Sequence, residues 1–428
     1  MSNAVAARPA RKEGSPQPRP ATRTRVLILG GGFAGLSAAQ ALDATRHEVT
    51  LIDARRNFEF LPNIHELVSA VKTAQLLRLP LADSMQRAGH RFVHDEVTGI
   101  DPAACRVSTQ RRRRAIGYDA LIVALGGVDA THGVPGVREH ALGFKSVTQC
   151  QNIARRLDQL ATRRSAAQVV IVGGGLEGVE ALGEILRRHR HRNHLQLTLV
   201  EARERLLPEA PAVIDQHLRQ LCAPYRVNFE LGLPVRRIRA DAVVLGDGRA
   251  LPSDLTIWTG GPAPSPLLAG AGLAVPGEWA PVHDSLQSSL YAQVLVAGDA
   301  AALPMPLAKQ AYHALDMGAH AAGNAERLLA GLRLRAFRPA PKPMLIAFGD
   351  LSCYLVAGER VLAGSALAAG KEAVFELVMA QLDAQPWWAR LPGMAQRSQR
   401  AARALLWPSM ASLQSLRRHA QVSILSLG

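Results

Sequence analysis

The chain has 428 residues, 48% of them apolar, long enough for two or three domains with cores of their own. Its formal net charge of +15 favours anionic surroundings: a membrane's inner leaflet, an acidic redox protein or nucleic acid. The four cysteines, Cys105, Cys150, Cys222 and Cys353, are scattered without C-x-x-C or metal-type spacing; this excludes a zinc or iron–sulfur pattern and reads as free thiols in a reducing compartment.

Residues 1–24 are rich in alanine, proline and arginine and lack an apolar h-region, so they read as a disordered basic tail rather than a secretory signal. Val26-Leu27-Ile28-Leu29 predicts a buried strand running into Gly30-Gly31-Gly32-Phe33-Ala34-Gly35, ahead of an apolar helical pattern. The first glycine permits the tight turn, the second lets a pyrophosphate approach the backbone, and the third lets helix pack on strand. The helix start then offers free N–H groups and a positive dipole end to the phosphates. The next predicted strand ends in Asp53, where a carboxylate accepts from ribose hydroxyls. The segment from Phe58 to Leu67 contains no redox cysteine pair, and its His65 packs beside the first nucleotide site or in the core. Arg111, Arg112, Arg113 and Arg114 mark a hairpin turn, either solvated or a landing patch. Leu121 to Gly127 predicts another strand, at 121–125, that ends in glycines.

A helix is expected at 149–160. After it, Val169-Val170-Ile171-Val172 runs into Gly173-Gly174-Gly175-Leu176-Glu177-Gly178, the same G-x-G-x-x-G in the same context. One such motif is weak; two point to two dinucleotides on one chain. The strand that follows ends in Glu201, which repels a 2′-phosphate and argues for NADH over NADPH, against the pull of Arg203 and Arg205. Glu177, Glu180 and Glu184 share one helix face. Pro262 to Pro266 marks a return, Val294 to Ala301 reads as a buried strand ending in Gly298-Asp299, and a helix is expected at 309–329. Short apolar runs between 337 and 369 predict strands. Residues 393–420 read as a basic helix interleaved with Trp407 and leucines, the composition of a helix lying in a membrane surface. No window reaches the ~18 apolar residues of a spanning helix.

With these motifs the chain resembles the two-dinucleotide-binding flavoproteins of the pyridine nucleotide-disulfide oxidoreductase type, and within them type II NADH dehydrogenases. The resemblance covers residues 24–370. It implies an α/β fold of two Rossmann-like domains, the NAD domain inserted in the FAD domain, plus a C-terminal α+β region. The domains would be the basic tail at 1–24, FAD-binding parts at 25–148 and 265–332, the NAD(P)H-binding domain at 149–264, and a C-terminal domain at 333–428. It implies FAD on Gly30, Gly32, Phe33, Ala34, Gly35, Asp53, Ala124, Gly126, Gly298 and Asp299. NADH would lie on Gly173, Gly175, Glu177, Gly178 and Glu201. Glu180 matches a family glutamate near the nicotinamide, where it fixes the carboxamide or relays a proton; otherwise it is a surface acid of an amphipathic helix.

The family passes electrons from NADH through flavin to quinone. Of its quinone motif, Ala-Gln-x-Ala-x-Gln-Gln, Gln310 is kept and Ala314 and Leu315 replace the later glutamines. Leu125 stands where threonine commonly precedes the glycine, and Asp350 where lysine is frequent. His313 and Lys309 offer a proton or a polarising charge, or serve the helix surface. The expected site is thus catalytic Glu180 and Gln310, with FAD and NADH, no metal, quinone as acceptor, and a location in the cytoplasm, peripheral on the inner face of the membrane. A membrane surface met through the C-terminal helix, an acidic redox protein and a homodimer are the further partners to test; charge alone specifies no nucleic-acid target. Alternatives are a reductase of a small electron-transfer protein, a sulfide:quinone oxidoreductase and a redox-sensing scaffold. Cys150 reads as a buried structural thiol rather than a sulfur carrier.

Overall fold

The computed structural model describes residues 23–163, 165–191, 194–383 and 422–426. The basic helix expected at 393–420 and nearly all of the N-terminal tail lie outside them. From the N-terminus the chain forms β1 (Thr24–Leu29), α1 (Phe33–Ala41), β2 (His47–Asp53) and β3 (Arg91–His94). An antiparallel meander follows, β4 (Val97–Asp101), β5 (Arg106–Thr109) and β6 (Ile116–Gly117), with the four arginines exposed in the turn between its last two strands. Next come β7 (Ala120–Val123), β8 (Ala141–Gly143), α2 (Val147–Ala161), β9 (Ala167–Val172), α3 (Leu176–His189), β10 (Leu195–Glu201), β11 (Val227–Leu231) and β12 (Leu255–Trp258). The chain continues through β13 (Val294–Val296), α4 (Ala311–Leu329), β14 (Met344–Phe348), β15 (Ser352–Ala357), β16 (Arg360–Ala363), α5 (Ala368–Leu382) and β17 (Ser423–Leu425).

Two five-stranded parallel sheets carry the architecture. The first has the order β13-β7-β1-β2-β3 and the second β8-β12-β9-β10-β11. Their central strands keep one register: Val26 faces Val49 and Ile28 faces Leu51, as Val169 faces Leu197 and Ile171 faces Leu199. Near-continuous aliphatic runs suit strands buried on both faces, and Ile28, Leu29, Ile122, Val123, Ile171 and Leu199 are wholly buried. In each sheet the chain leaves the central strand on one side and returns on the other, which opens a crevice at the carboxyl ends of the strands. Both glycine loops lie at that crevice. An antiparallel ribbon of Gly127–Asp129 with Pro262–Pro264 joins the two connections between the sheets.

The helix expected at 149–160 starts earlier, at Val147, because Ser146 caps it, its hydroxyl accepting from Gln149 N at 3.2 Å. The helix expected from 309 starts at Ala311, since Gln310 is extended and occupies the N-cap. The strand expected at 121–125 ends at Val123 because Gly126 turns at φ 62°. Strands β14 to β17 form an antiparallel sheet. It docks on the second nucleotide unit through α3: a Cβ at Gly183 would meet Gly349 N at 2.6 Å, so backbone lies against backbone there. The charge pair of Arg190 and Asp350 flanks that contact, with one N–O distance of 2.7 Å.

Candidate active site

Both glycine loops are built alike, and the construction is legible atom by atom. A Cβ at Gly35 would lie 1.8 Å from Gly30 O, and one at Gly178 1.8 Å from Gly173 O. A Cβ at Gly30 would meet Ala124 O at 2.3 Å, and one at Gly173 would meet Thr259 O at 2.5 Å. These four glycines are thus fixed by the protein's own backbone. Gly32 and Gly175 are different: a Cβ on either would touch nothing within 4 Å. Internal packing does not demand glycine there, whereas a ligand lying on the backbone does. Gly32 and Gly175 are also the N-cap residues of α1 and α3, and neither helix start receives a side-chain cap. Ser146 caps α2 by contrast, and uncapped N–H groups at a helix start are open to an external acceptor. A pyrophosphate supplies one, and the loops fit it.

Asp53 and Glu201 play matching parts. Asp53 Oδ2 accepts from Gly31 N at 2.6 Å and Glu201 Oε2 accepts from Gly174 N at 2.6 Å. Their other oxygens accept from Arg55 N at 2.6 Å and Arg203 N at 2.9 Å. Each acid therefore holds its own glycine loop. Phe33 and Ala34 are buried; the Phe33 ring meets Phe58 and Phe60 edge-on with centroids 4.9 and 5.4 Å apart. Glu177, in the first turn of α3, pairs with Lys145, and burial raises its carboxyl above the ordinary range.

Beside the first loop, Ala124 is buried and Gly298 turns at φ 71°, where a Cβ would meet Ala34 Cβ at 3.1 Å. Asp299 follows, its carboxyl raised by burial against the pull of Lys309 and Lys145. Lys309 donates to Asp299 O at 2.5 Å and Ala301 O at 3.0 Å, and its ammonium sits 4.0 Å from the Trp279 ring centroid. It therefore braces the turn after the Gly-Asp rather than projecting from a helix. Gln310, His313 and Ala314 line a small cavity of about 20 Å³ with Asp299. Burial lowers the His313 pKa, with Lys342 adding to the effect and Asp316 opposing it.

Glu180 is no surface acid. It is 6% exposed, and its Oε1 accepts from Lys371 Nζ at 2.6 Å and from Ala347 N at 3.2 Å. Its Oε2 lies 3.4 Å from His65 Nδ1. Burial raises the Glu180 carboxyl while the Lys371 ammonium restrains it; burial also works against the ammonium, but Glu180, with Glu66 and Cys353 adding to it, leaves Lys371 raised. Tyr312, two residues beyond Gln310, faces the same pair. So α3, α4 and α5 converge on one buried charge cluster.

A family model described as pyridine nucleotide-disulphide oxidoreductase matches residues 24–318. The chain belongs to the pyridine nucleotide-disulphide oxidoreductase family. Among its relatives is the type II NADH:quinone oxidoreductase of Staphylococcus epidermidis, 26% identical over 355 residues, which span 76% of this chain and 88% of that protein. Solved structures with the same fold include NDH2 of Plasmodium falciparum in complex with NADH (TM-score 0.75, 16% identity, 86% of this chain and 96% of that one). The sulfide:quinone oxidoreductase of Aquifex aeolicus is similar too (TM-score 0.73, 19% identity, 86% and 94%).

Several participants carry weak sequence signals. Lys371 is one of three charged residues in the largely apolar α5, and only the fold shows that it meets Glu180. Thr259, whose hydroxyl donates to Val172 O at 2.8 Å behind the second loop, has no motif of its own. The position read as a departure, Asp350, is committed to Arg190. Burial pushes the Cys150 thiol well up and that of Cys353 to about 11, so both are protonated at neutral pH, and all four cysteines are free. No group of metal-binding side chains occurs among the described residues, and no described helix is long and apolar enough to cross a membrane.

Glu184, one turn beyond Glu180, is 1% exposed; it accepts from the Ser69 hydroxyl and lies 3.6 Å from Arg187. Burial pushes its carboxyl to about 7, with Arg187 opposing. In the unfolded chain it titrates near ~4.3. Between those values the folded state binds more protons, so this residue's contribution to stability falls as pH rises through the window, by about 4 kcal/mol in all. Glu184→Gln is expected to melt higher than the natural protein near about pH 8 and to match it near about pH 4.5. Equal melting temperatures at both would contradict a desolvated carboxylate.

Proposed function

We propose that this chain is an FAD-dependent NADH:quinone oxidoreductase. The observation that carries the reading is the pair of uncapped, glycine-lined helix starts that a dinucleotide fits, set around one buried glutamate–lysine pair. FAD lies on Gly30, Gly32, Phe33, Ala34, Gly35, Asp53, Ala124, Gly126, Gly298 and Asp299, in a domain made of residues 25–148 and 265–332. NADH lies on Gly173, Gly175, Glu177, Gly178 and Glu201, in a domain of residues 149–264. Bound there, flavin and nicotinamide supply the hydride and electron transfer.

The chain's own residues bind, orient and manage protons. Backbone N–H groups of the two loops take the pyrophosphates, and Asp53 and Glu201 take the riboses. Each turnover of NADH and quinone to NAD⁺ and quinol takes one proton from water. Glu180, paired with Lys371 and removed from solvent, is suited to hold and return it. Gln310 at the start of α4 is the remaining amide of the quinone motif. Ala314 and Leu315, both buried, leave that end of the acceptor site apolar.

NADH is favoured over NADPH by how the nearby arginines are used. Arg205 donates to Ala210 O at 2.7 Å and Pro208 O at 2.5 Å, and Arg203 pairs with Glu209 at 2.9 Å. Glu201 stands at the strand end, where a 2′-phosphate would meet it. Glu201→Gln is expected to raise the kcat/KM ratio of NADPH to NADH about tenfold, ~1.4 kcal/mol. An unchanged ratio in steady-state assays would remove Glu201 from the ribose site.

Quinone resides in membranes, and the strongly basic chain suits the anionic inner face of the cytoplasmic membrane. Flotation with vesicles containing about one-third anionic lipid tests this; the chain is expected to rise with them at low salt and to remain below neutral vesicles.

A further inference from the structure

His65 lies in the 3₁₀ segment Leu61–Leu67, which Pro62 opens and an Asn63–Glu66 hydrogen bond of 2.9 Å braces. The ring is 1% exposed, and its two nitrogens face opposite charges. Nδ1 lies 3.4 Å from Glu180 Oε2, and Nε2 lies 3.4 Å from Lys371 Nζ. An ammonium only donates and a carboxylate only accepts. Nε2 must therefore accept, and Nδ1 must carry the ring proton. A second proton would remove the acceptor and set a new cation beside Lys371 in a site without solvent. Burial, Lys371, Lys72 and Arg187 all act against that second proton. Glu180 Oε1 is taken by Lys371 and by Ala347 N–H, whereas Oε2 faces the imidazole.

We propose that His65 is a positioning residue: as a neutral Nδ1–H tautomer it holds the second oxygen of Glu180, fixes that carboxylate against Lys371, and sets the pH at which Glu180 takes up a proton. This rests on reading Glu180 as the acid–base group of the oxidoreductase. The other ionisable groups turned toward this cluster are Lys72 and Glu66 after β2, Arg187 on α3, Tyr312 on α4, Cys353 on β15 and Glu372 on α5, which pairs with Lys72. The Nδ1–H donor favours the ionised carboxylate, so its loss moves the Glu180 titration upward. An asparagine puts an amide N–H where Nδ1–H stands; a leucine keeps the bulk and removes the donor.

Two readouts on the full chain loaded with FAD test this without turnover. The first is the ¹⁵N spectrum of histidine-labelled protein, with the His65 signals assigned by their absence in His65→Asn. The expected ring is the neutral Nδ1–H tautomer, unchanged between about pH 5.5 and 8.5, a range in which an ordinary histidine titrates. The second is the infrared carboxylic-acid band of Glu180, assigned by its loss in Glu180→Gln. His65→Leu is expected to move its midpoint up by about one pH unit, a tenfold change in proton affinity, and His65→Asn by less than a third of that. A titrating ring, an Nε2–H tautomer, or equal shifts in both variants would overturn the proposal. Should the leucine variant not fold, the tautomer of the natural ring decides alone. If the natural protein shows the expected tautomer yet fails to reduce quinone, the functional reading falls and the His65 assignment stands.

Discussion

Gly178→Val is expected to purify with bound flavin and to lose NADH binding, while Gly35→Val is expected to purify without flavin. The cause is the same in both. Any Cβ at Gly178 would stand 1.8 Å from Gly173 O and 2.9 Å from the Thr259 hydroxyl, and one at Gly35 would stand 1.8 Å from Gly30 O. Such contacts lie far inside van der Waals range and involve backbone on both sides, so no rotamer relieves them. The helix must withdraw from the loop, at a cost of about 3 kcal/mol or more. Withdrawal breaks the cradle at its floor, because the N–H groups that would meet the phosphates no longer converge. An affinity loss of at least ~100-fold at the affected site follows from that cost. Flavin content by absorbance and NADH binding by titration read the two sites separately. Loss of flavin in Gly178→Val, or retained NADH affinity, would contradict the assignment of one dinucleotide to each loop.

The second large effect concerns the buried pair. Lys371→Met is expected to lower stability by about 3–5 kcal/mol, since it leaves Glu180 in a dry site without its counter-charge. Glu180→Gln strands the Lys371 ammonium and is expected to cost a similar amount. The double variant, Glu180→Gln with Lys371→Met, carries no unpaired charge and is expected to recover most of that loss. Activity behaves differently. Each single variant and the double are all expected to lose about 100-fold or more in turnover with quinone, the scale of a lost acid–base group. The split between the two measurements is diagnostic. Recovery of both stability and turnover in the double variant would reduce the pair to a structural ion pair.

The repeated loop–strand–acid pattern made most of the fold legible from residues alone. Gly30 to Gly35 and Gly173 to Gly178 lie between an aliphatic strand and an apolar helix, so local sequence dictates both the turn and what surrounds it. Asp53 and Glu201 were equally readable as strand-end acids, although their bonds to Gly31 N and Gly174 N, which hold the loops, are tertiary details. The buried cluster was far less legible. Glu180 sits on a helix of mixed character, His65 in a segment of short 3₁₀ turns, and Lys371 in a largely apolar helix 191 positions beyond Glu180. No periodicity joins them; only the docking of α3, α4 and α5 does. Lys309 shows the same limit: a lysine at the start of a predicted helix resembles a solvated side chain until its bonds to Asp299 O and Ala301 O and its place over Trp279 are seen. Helix starts shifted for local reasons, Ser146 capping one helix early and Gln310 delaying another.

Anaerobic stopped-flow on the flavin-loaded protein tests the central claim most directly, with absorbance followed in the flavin band after NADH and then after a short-chain quinone. Rapid bleaching by NADH followed by rapid recovery on quinone is the expected result. Bleaching by NADH with no recovery on quinone would contradict quinone as the acceptor, and no bleaching by NADH would contradict the donor.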